Sequence, residues 1–258
     1  MTRVFWILLV AVTSSSQVHA RTWHLQPDGT GDAPTIAAAI NSSVAGDVVE
    51  LACGTYHEEG MFVRSGITIR SETGQPECVT IEGRQPVNRP ATIFNSLGSD
   101  DTTLLEGLTI TGGLANDYFW GVVGGGLVIS SGSSLVVKKC NIVGNVARGT
   151  GGVLIIQSHP TFIDCLIAEN EATLSFPGGV TLANGSSLRA YNTTILSNIA
   201  VSRVVDGRVG PDCEVYFYCC DIDLAGWEFN GFYQVDDSSC GQVPAEIQSW
   251  GSVKAFYR

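Results

Sequence analysis

The stretch that decides the fold is CNIVGNVA at residues 140–147, which the pair Gly151-Gly152 follows after three residues. Nearly the same pattern returns as CLIAENEA at residues 165–172, and a second pair, Gly178-Gly179, follows it. The second copy begins 25 residues after the first. Self-similarity at such a period predicts a repeat architecture in which each copy is one structural unit.

Three rows of short apolar segments recur in fixed order around these two copies. Successive members of a row lie 25 to 32 residues apart, and the largest step contains an insertion. Each unit therefore holds three candidate strands. The rows are residues 108–110, 140–142, 165–167 and 193–195; residues 125–129, 151–155 and 178–182; and residues 135–137, 160–162 and 188–190.

Three such strands cannot bury an apolar face alone, whereas stacked units form long parallel sheets around one core. Period-two alternation points the isoleucines of the first row into a single internal column. Asn145, Asn170 and Asn198 follow at the turns, where a ladder of side-chain amides is expected because Asn tolerates left-handed backbone geometry. The sequence predicts an all-β chain folded as a right-handed, single-stranded parallel β-helix.

The first twenty residues predict an export signal. Arg3 is followed by a short apolar run at residues 4–12, and a small-x-small sequence ends at Ala20. The run is about half the ~20 residues that a membrane span needs, so cleavage after Ala20 is expected. No later segment reaches spanning length, so we expect no transmembrane segment in the mature chain.

The residues after the signal predict a cap, a solenoid and a second cap. Pro34 and the run at residues 35–40 predict a short helix that ends near Gly46. A strand is expected at residues 48–51, a turn at 54–56 and an early rung at 67–69. Uncapped terminal strands would invite further pairing. The predicted segments are the signal peptide (1–20), an N-terminal strand and capping helix (21–47), β-helix coils (48–212) and a C-terminal cap that disulfides could pin (213–258).

Two resemblances accompany this pattern. The Cys-x-Ile-x-x-Asn-x-Ala repeats followed by Gly-Gly resemble those of polymorphic outer membrane proteins, with Ile where that family has Phe. This resemblance covers roughly a hundred residues of the chain and implies a β-helix at a cell surface or outer membrane. The opening helix, strand and turn resemble those of pectin-lyase-like proteins, in which a short helix plugs the solenoid. Neither resemblance fixes an activity, because β-helices carry many functions.

All eight cysteines follow the predicted signal. An exported chain meets an oxidising compartment, so some disulfides are expected. Cys140 and Cys165 occupy equivalent positions in adjacent coils, with Cα atoms expected about 4.8 Å apart. Their side chains would point the same way, which suits a disulfide poorly. We predict a buried thiol stack there, with a disulfide as the alternative.

The connections between each Asn turn and the next Gly-Gly corner emerge at one edge and therefore stack. The first contains three adjacent aromatic residues. Aromatic faces and guanidinium groups bind saccharides or proteins by stacking and bidentate hydrogen bonds. The aromatics could equally pack against the solenoid, and both alternatives stay open. The candidate ligand-binding residues are Asn116, Asp117, Tyr118, Phe119, Trp120, Arg148, Phe176, Arg203, Asp206 and Arg208.

The pectin-lyase-like resemblance implies polysaccharide cleavage or de-esterification, but the sequence lacks the matching motifs. Polygalacturonase-like enzymes carry an Asp-Asp pair, a Gly-His-Gly and an Arg-x-Lys. The chain has Asp100-Asp101 but neither of the other two motifs, and an Asp pair alone is a weak acid–base candidate. No cofactor is predicted. Asp221 and Asp223 leave a calcium site open, although calcium needs several oxygen ligands.

We therefore expect an exported, non-catalytic surface or matrix protein that binds a polysaccharide or a surface protein along the stacked loops. The alternative is a polysaccharide-active enzyme, a lyase or a glycoside hydrolase, whose catalytic residues are unknown. The net charge of −11 would repel phosphate backbones, so nucleic acid is not an expected partner. The chain is expected to be a monomer.

Overall fold

The computed structural model describes residues 19–83, 93–115, 123–174, 176–201, 203–238 and 240. These residues form a solenoid in which equivalent strands of successive coils pair in parallel. Parallel crossovers within one sheet are right-handed in nearly every protein. The fold is the right-handed parallel β-helix that the repeats predict.

Four sheets run along the solenoid, and a complete middle coil passes through sheets A, B, D and C in that order. The nine strands of sheet A are β1 (Thr22–Leu25), β2 (Val48–Leu51), β5 (Thr68–Ser71), β8 (Leu104–Glu106), β12 (Val136–Lys138), β16 (Thr161–Ile163), β20 (Ser187–Tyr191), β25 (Glu214–Tyr218) and β28 (Phe232–Asp236). The seven strands of sheet B are β3 (Gly54–His57), β6 (Val79–Glu82), β9 (Thr109–Thr111), β13 (Asn141–Val143), β17 (Leu166–Ala168), β21 (Thr194–Leu196) and β26 (Asp221–Ile222).

Sheets C and D complete each coil. The seven strands of sheet C are β4 (Met61–Val63), β7 (Phe94–Leu97), β11 (Leu127–Ser130), β15 (Val153–Ile156), β19 (Val180–Ala183), β24 (Gly207–Val209) and β27 (Trp227–Phe229). The five short strands of sheet D are β10 (Leu114–Ala115), β14 (Val146–Ala147), β18 (Glu171–Ala172), β22 (Ile199–Ala200) and β23 (Arg203–Val204).

The inward column of sheet B shows how the repeats build the core. Ile110, Ile142, Ile167 and Ile195 pair at successive rungs. Each is at most 1 % exposed. Burying such a side chain contributes about 1.5–3 kcal/mol. Because each isoleucine is covered by those above and below it, stability belongs to the stack and not to a single coil.

The asparagine ladder is confirmed. The Nδ2 of Asn145 donates to Oδ1 of Asn170 at 3.0 Å, and the Nδ2 of Asn170 donates to Oδ1 of Asn198 at 3.0 Å. All three residues are fully buried. A buried amide without partners would cost free energy, so the ladder fixes the turn in each coil.

The middle coils have four strands and not the three that the sequence predicts. The additional residues follow each Asn turn, and Val146–Ala147 pairs with Glu171–Ala172 in the short sheet D. Two residues are too few to display an alternation in a sequence. The fourth sheet was missed for this reason.

The chain also adds strands where a turn and a cap were expected. Residues 54–56 belong to strand β3 and do not form a turn. Tyr56 points inward from this strand, and its hydroxyl donates to the carbonyl of Leu25 at 3.0 Å. Residues 214–236 extend sheets A, B and C through strands β25 to β28. Residues 241–258 lie outside the described residues.

A helix covers the N-terminal end of the core, as predicted. This helix, α1, spans Ile36–Ser42. Thr35 Oγ1 accepts the N–H of Ala38 at 3.0 Å, and the carboxylate of Glu58 accepts the first two N–H groups of the helix at 2.7 and 3.0 Å. These bonds satisfy donors that a helix start leaves free. The buried helix residues are Ile36, Ala39 and Ile40.

The cysteines divide into bonded and free groups. Cys140 and Cys165 are free, buried thiols in adjacent coils, as predicted. Their sulfurs donate to main-chain carbonyls, with a shortest distance of 3.3 Å in each case. The disulfides among the described residues are Cys53–Cys78 and Cys219–Cys240.

Candidate functional site

A β-hairpin interrupts the parallel solenoid at one edge. Strands β22 and β23 pair antiparallel, with Ala200 opposite Arg203. Val201 lies in the turn with a φ of 45°, a left-handed conformation that is rare for a β-branched residue. It is 61 % exposed. The hairpin thus holds an apolar side chain in solvent at a cost in backbone strain.

Three charged side chains form one ion-paired cluster beside the hairpin. Arg208 on β24 and Glu228 on β27 are neighbours in register. Arg208 donates through Nε and Nη2 to Glu228 Oε2 at 2.7 and 2.6 Å, and Arg203 donates through Nη2 to Oε1 at 2.8 Å. One carboxylate therefore orients two guanidinium groups. The three side chains together carry one positive charge in a strongly acidic chain.

Phe176 completes the site. The Arg208 guanidinium carbon lies 5.6 Å from the centroid of the Phe176 ring, within the range of a cation–π interaction. The partly open cavity between these side chains measures about 100 Å³, which accommodates about three water molecules and therefore the edge of a ligand. We call it the hairpin pocket. Its lining residues are Phe176, Ala200, Val201, Arg203, Val205, Arg208 and Glu228.

Asp206 lies beneath this surface and not on it. Asn198 donates to Asp206 Oδ1 through its main-chain N–H and its Nδ2, at 2.9 and 3.0 Å. Asp206 is 1 % exposed, and its Oδ2 has no hydrogen-bond partner among the described residues. Burial raises the pKa of the Asp206 carboxyl above its usual value. Asp206 ends the asparagine ladder, so its placement among surface ligand-binding residues needs correction.

The structure brings some of the predicted residues together and leaves others apart. Phe176, Arg203 and Arg208 meet at the hairpin pocket. Arg148 follows β14 at the same edge, half-buried, and does not line the pocket. The aromatic insertion at residues 116–120 lies outside the described residues, so its role stays a prediction.

Sequence reasoning missed four residues of the pocket, namely Ala200, Val201, Val205 and Glu228. Glu228 extends the column of sheet C that contains Thr181 and Arg208. Its step from Arg208 is 20 residues, shorter than the repeat, so the period does not reveal it. Val201 is distinguished by its positive φ, a backbone conformation that no pattern of residues in the sequence predicts.

A larger depression lies near the N-terminal end. It has a volume of about 590 Å³, a size typical of ligand sites. Its walls include Val44, Phe62, Leu97 and Arg64. The ion pairs among the described residues involve none of these side chains. We call it the comparison depression.

Asp223, one of the two acidic residues considered for calcium, has another role. Asp223 Oδ1 accepts the N–H of Ala225 at 3.0 Å and caps the 3₁₀ helix Leu224–Gly226. Among the described residues, the one group of three metal-capable side chains contains Cys53 and Cys78, whose sulfurs are bonded to each other. Calcium binding stays a prediction.

The family model described as the right handed beta helix region matches residues 88–221. This is more than half of the chain, and the stacked parallel sheets agree with it. The chain belongs to the right-handed β-helix family. No curated protein matches the sequence of this β-helix. None of its described helices is long and apolar enough to cross a membrane.

Solved structures share the β-helix fold at low sequence identity. Pectin methylesterase PemA from Erwinia chrysanthemi is 16 % identical with a TM-score of 0.52, over 88 % of this chain and 68 % of that chain. Deglycosylated pectin methylesterase from Aspergillus niger is 17 % identical with a TM-score of 0.48, over 87 % of this chain and 90 % of that chain. At such identities the likeness concerns the fold alone.

Proposed function

We propose that this chain is an exported, non-catalytic β-helix protein that binds a polysaccharide at the hairpin pocket. The observation that carries the proposal is that Arg203 and Arg208 both donate to the single carboxylate of Glu228, while the Phe176 ring lies against Arg208. The three predicted residues were chosen from two stacked connections, one with Phe176 and the next with Arg203 and Arg208, and they meet at one exposed edge of the solenoid.

The chemistry of the pocket suits a sugar. The side chain of Arg203 is 70 % exposed. A guanidinium has five N–H donors, and Arg203 uses its Nη2 to donate to Glu228. The remaining donors can bond sugar hydroxyl groups. The apolar faces of Phe176 and Val201 can pack against the C–H face of a pyranose ring.

The role of Glu228 supports binding without catalysis. Both of its oxygens accept hydrogen bonds from guanidinium groups. Oxygens that are already engaged in two ion pairs are poorly placed to act as a general base or a nucleophile. In this proposal Glu228 orients the arginines and takes no part in bond cleavage.

Export and a surface location are part of the proposal. The disulfides Cys53–Cys78 and Cys219–Cys240 are typical of proteins that fold in an oxidising compartment. The signal peptide with cleavage after Ala20, and the outer-membrane location that the repeats imply, remain expectations of this proposal.

The test is a glycan array probed with residues 21–258, with and without calcium, followed by product analysis on each hit. Arg203→Gln should weaken binding about tenfold, the effect of about 1.4 kcal/mol. Arg70→Gln is the matched control, because Arg70 also pairs with a glutamate, Glu50, at 3.0 and 2.6 Å but on sheet A. Equal loss in both variants would contradict the proposed site.

The remaining outcomes separate the alternatives. Binding without cleavage supports the proposal. Cleavage products would replace it with the enzymatic alternative, and unsaturated ends would indicate a lyase while plain reducing ends would indicate a hydrolase. An array without hits would reject a polysaccharide of the types displayed and favour a surface protein as the ligand.

A further inference from the structure

The two ends of sheet A differ in how their last strand is protected. At the N-terminal end, Asp32 folds back onto β1: its N–H donates to the carbonyl of His24 at 2.9 Å, and its Oδ2 accepts the N–H of His24 at 2.9 Å. Arg21 pairs with the same aspartate at 3.8 Å. A folded-back loop and charged side chains are devices that prevent further strand pairing.

The C-terminal end of sheet A has no such protection among the described residues. Strand β28 is the last strand, and the described chain pairs nothing with its outer edge. The N–H of Phe232 and the carbonyl of Asp236 bond toward β25, at 2.9 and 3.1 Å. Alternate residues of a strand turn their backbone groups to opposite sides. The N–H and C=O groups of Tyr233 and Val235 therefore face outward.

The side chains of the same two residues present core surface to solvent. Tyr233 is in register with Val215, and Val235 is in register with Phe217. Val215 and Phe217 are fully buried, whereas Tyr233 and Val235 are 45 % and 36 % exposed. The Tyr233 ring stacks on Phe229 with 4.1 Å between centroids. Within the described part of the chain, the end of the solenoid thus combines an unpaired strand edge with an apolar surface.

We propose that two copies of this chain pair tail to tail through antiparallel β28 strands centred on Gln234. In this register Tyr233 of each copy faces Val235 of the other, and their outward N–H and C=O groups exchange hydrogen bonds. The side chains form aromatic–β-branched pairs, which stabilise antiparallel sheets.

The edge is complementary to itself. Gln234 faces Gln234 at the two-fold axis, and Asp236 faces Phe232, so no like charges are opposed. A two-fold interface needs this property, because the same surface of both copies forms it: if residue i of one copy contacts residue j of the other, residue j of the first also contacts residue i of the second. The protected β1 edge prevents head-to-tail growth, and the assembly closes as a dimer. The Cys219–Cys240 disulfide fastens the chain after β28 to the end of β25 and preorganises this edge.

The first test is the mass of residues 21–258 by light scattering and sedimentation over a range of concentrations. A dimer is expected. Val235→Pro removes an outward N–H that no described residue of the same chain accepts. An edge strand tolerates this change, and it should raise the dissociation constant at least about tenfold. Val235→Thr keeps the N–H and is the matched control. A monomer at every concentration would overturn the proposal and direct attention to residues 241–258 as the segment that meets this edge.

The second test needs no proline and uses charge. Gln234→Lys and Gln234→Glu each place like charges opposite one another at the two-fold axis, and each variant alone should be monomeric. Mixing the two should restore a dimer that contains one copy of each, because opposite charges then face one another. Two variants that dimerise alone as well as the parent, or a mixture that stays monomeric, would reject the proposed register.

Discussion

At the scale of single residues, Asp206 stands where the ladder would take a fourth asparagine. Its Oδ1 receives two hydrogen bonds from Asn198, while its buried Oδ2 has no partner among the described residues. Because burial raises the folded-state pKa of this carboxyl, the protonated form adds stability below the unfolded pKa. That stability is lost as the pH rises through the folded pKa.

Asp206→Asn should therefore stabilise the protein near neutral pH. An amide stays uncharged, and its Nδ2 supplies a donor where the carboxylate has an unpaired oxygen. The expected gain is about 1 kcal/mol in the free energy of unfolding at about pH 7, and it should shrink toward about pH 4. Denaturant titrations at both pH values measure it, with the exposed Asp237→Asn as the control. A loss of stability near neutral pH would contradict this prediction and would mean that Oδ2 accepts a hydrogen bond from a group outside the described residues.

The same residue marks how far sequence reasoning reaches. Asn145, Asn170 and Asn198 recur at the repeat period, so the ladder could be predicted. Asp206 follows Asn198 by eight residues because the hairpin returns the chain to the same position within a single coil. No period reveals such a return, and Asp206 was assigned to the surface for that reason.

The buried thiols give a second prediction at this scale. Burial raises the pKa of Cys165 to about 12 and that of Cys140 well above its usual value. Since the thiolate is the reactive form, both should resist a thiol reagent at about pH 8 until the protein unfolds. Cys220, which is less buried, should be labelled first. Mass spectrometry of the labelled positions decides the order, and early labelling of Cys140 would contradict this packing.

At the scale of elements, the hairpin keeps a strained turn. Val201 has a φ of 45° and is 61 % exposed, so neither backbone preference nor burial favours valine. Strain that persists at an exposed turn suggests a functional use. Val201→Asn should raise the free energy of unfolding by about 1 kcal/mol, because Asn adopts this conformation more readily. It should also weaken polysaccharide binding.

Opposite changes in stability and affinity would separate this role from a purely structural one. Val44→Asn is the control, because Val44 is 50 % exposed at the comparison depression and is not among the described residues with positive φ. Thermal melts and binding titrations on both variants give the answer. Unchanged binding in Val201→Asn would remove Val201 from the ligand surface.

The strands differ in how visible they are in the sequence. The rows that contain residues 140–142 and 151–155 alternate and recur, so their sheets were predictable. Strand β25 alternates as well, with Val215 and Phe217 inward. Two of its three outward residues, Tyr216 and Tyr218, are aromatic, so the repeat is obscured. Arg203 and Arg208 could be placed at one edge by topology, whereas Glu228 needed the three-dimensional register.

At the scale of the whole molecule, each coil is stabilised by its two neighbours. Such a chain behaves as a stack with nearest-neighbour coupling, and its ends are less stable than its centre. The N-terminal end is covered by α1 and by the loop that Asp32 closes, whereas the C-terminal end presents Tyr233 and Val235 to solvent. The stability of the monomer should therefore decrease from the middle coils toward β28.

Two substitutions in one internal column measure this gradient. Ile142 is fully buried between Ile110 and Ile167, so Ile142→Ala should cost about 2–5 kcal/mol in the free energy of unfolding. Ile222 occupies the same column in the last coil and is only partly buried. Ile222→Ala should cost about half as much, because the removed methylene groups were already near solvent. Denaturant unfolding of both variants at low protein concentration, where a dimer would dissociate, isolates the monomer. Equal costs at the two positions would contradict this gradient, because they would show that the last coil is as well packed as the centre.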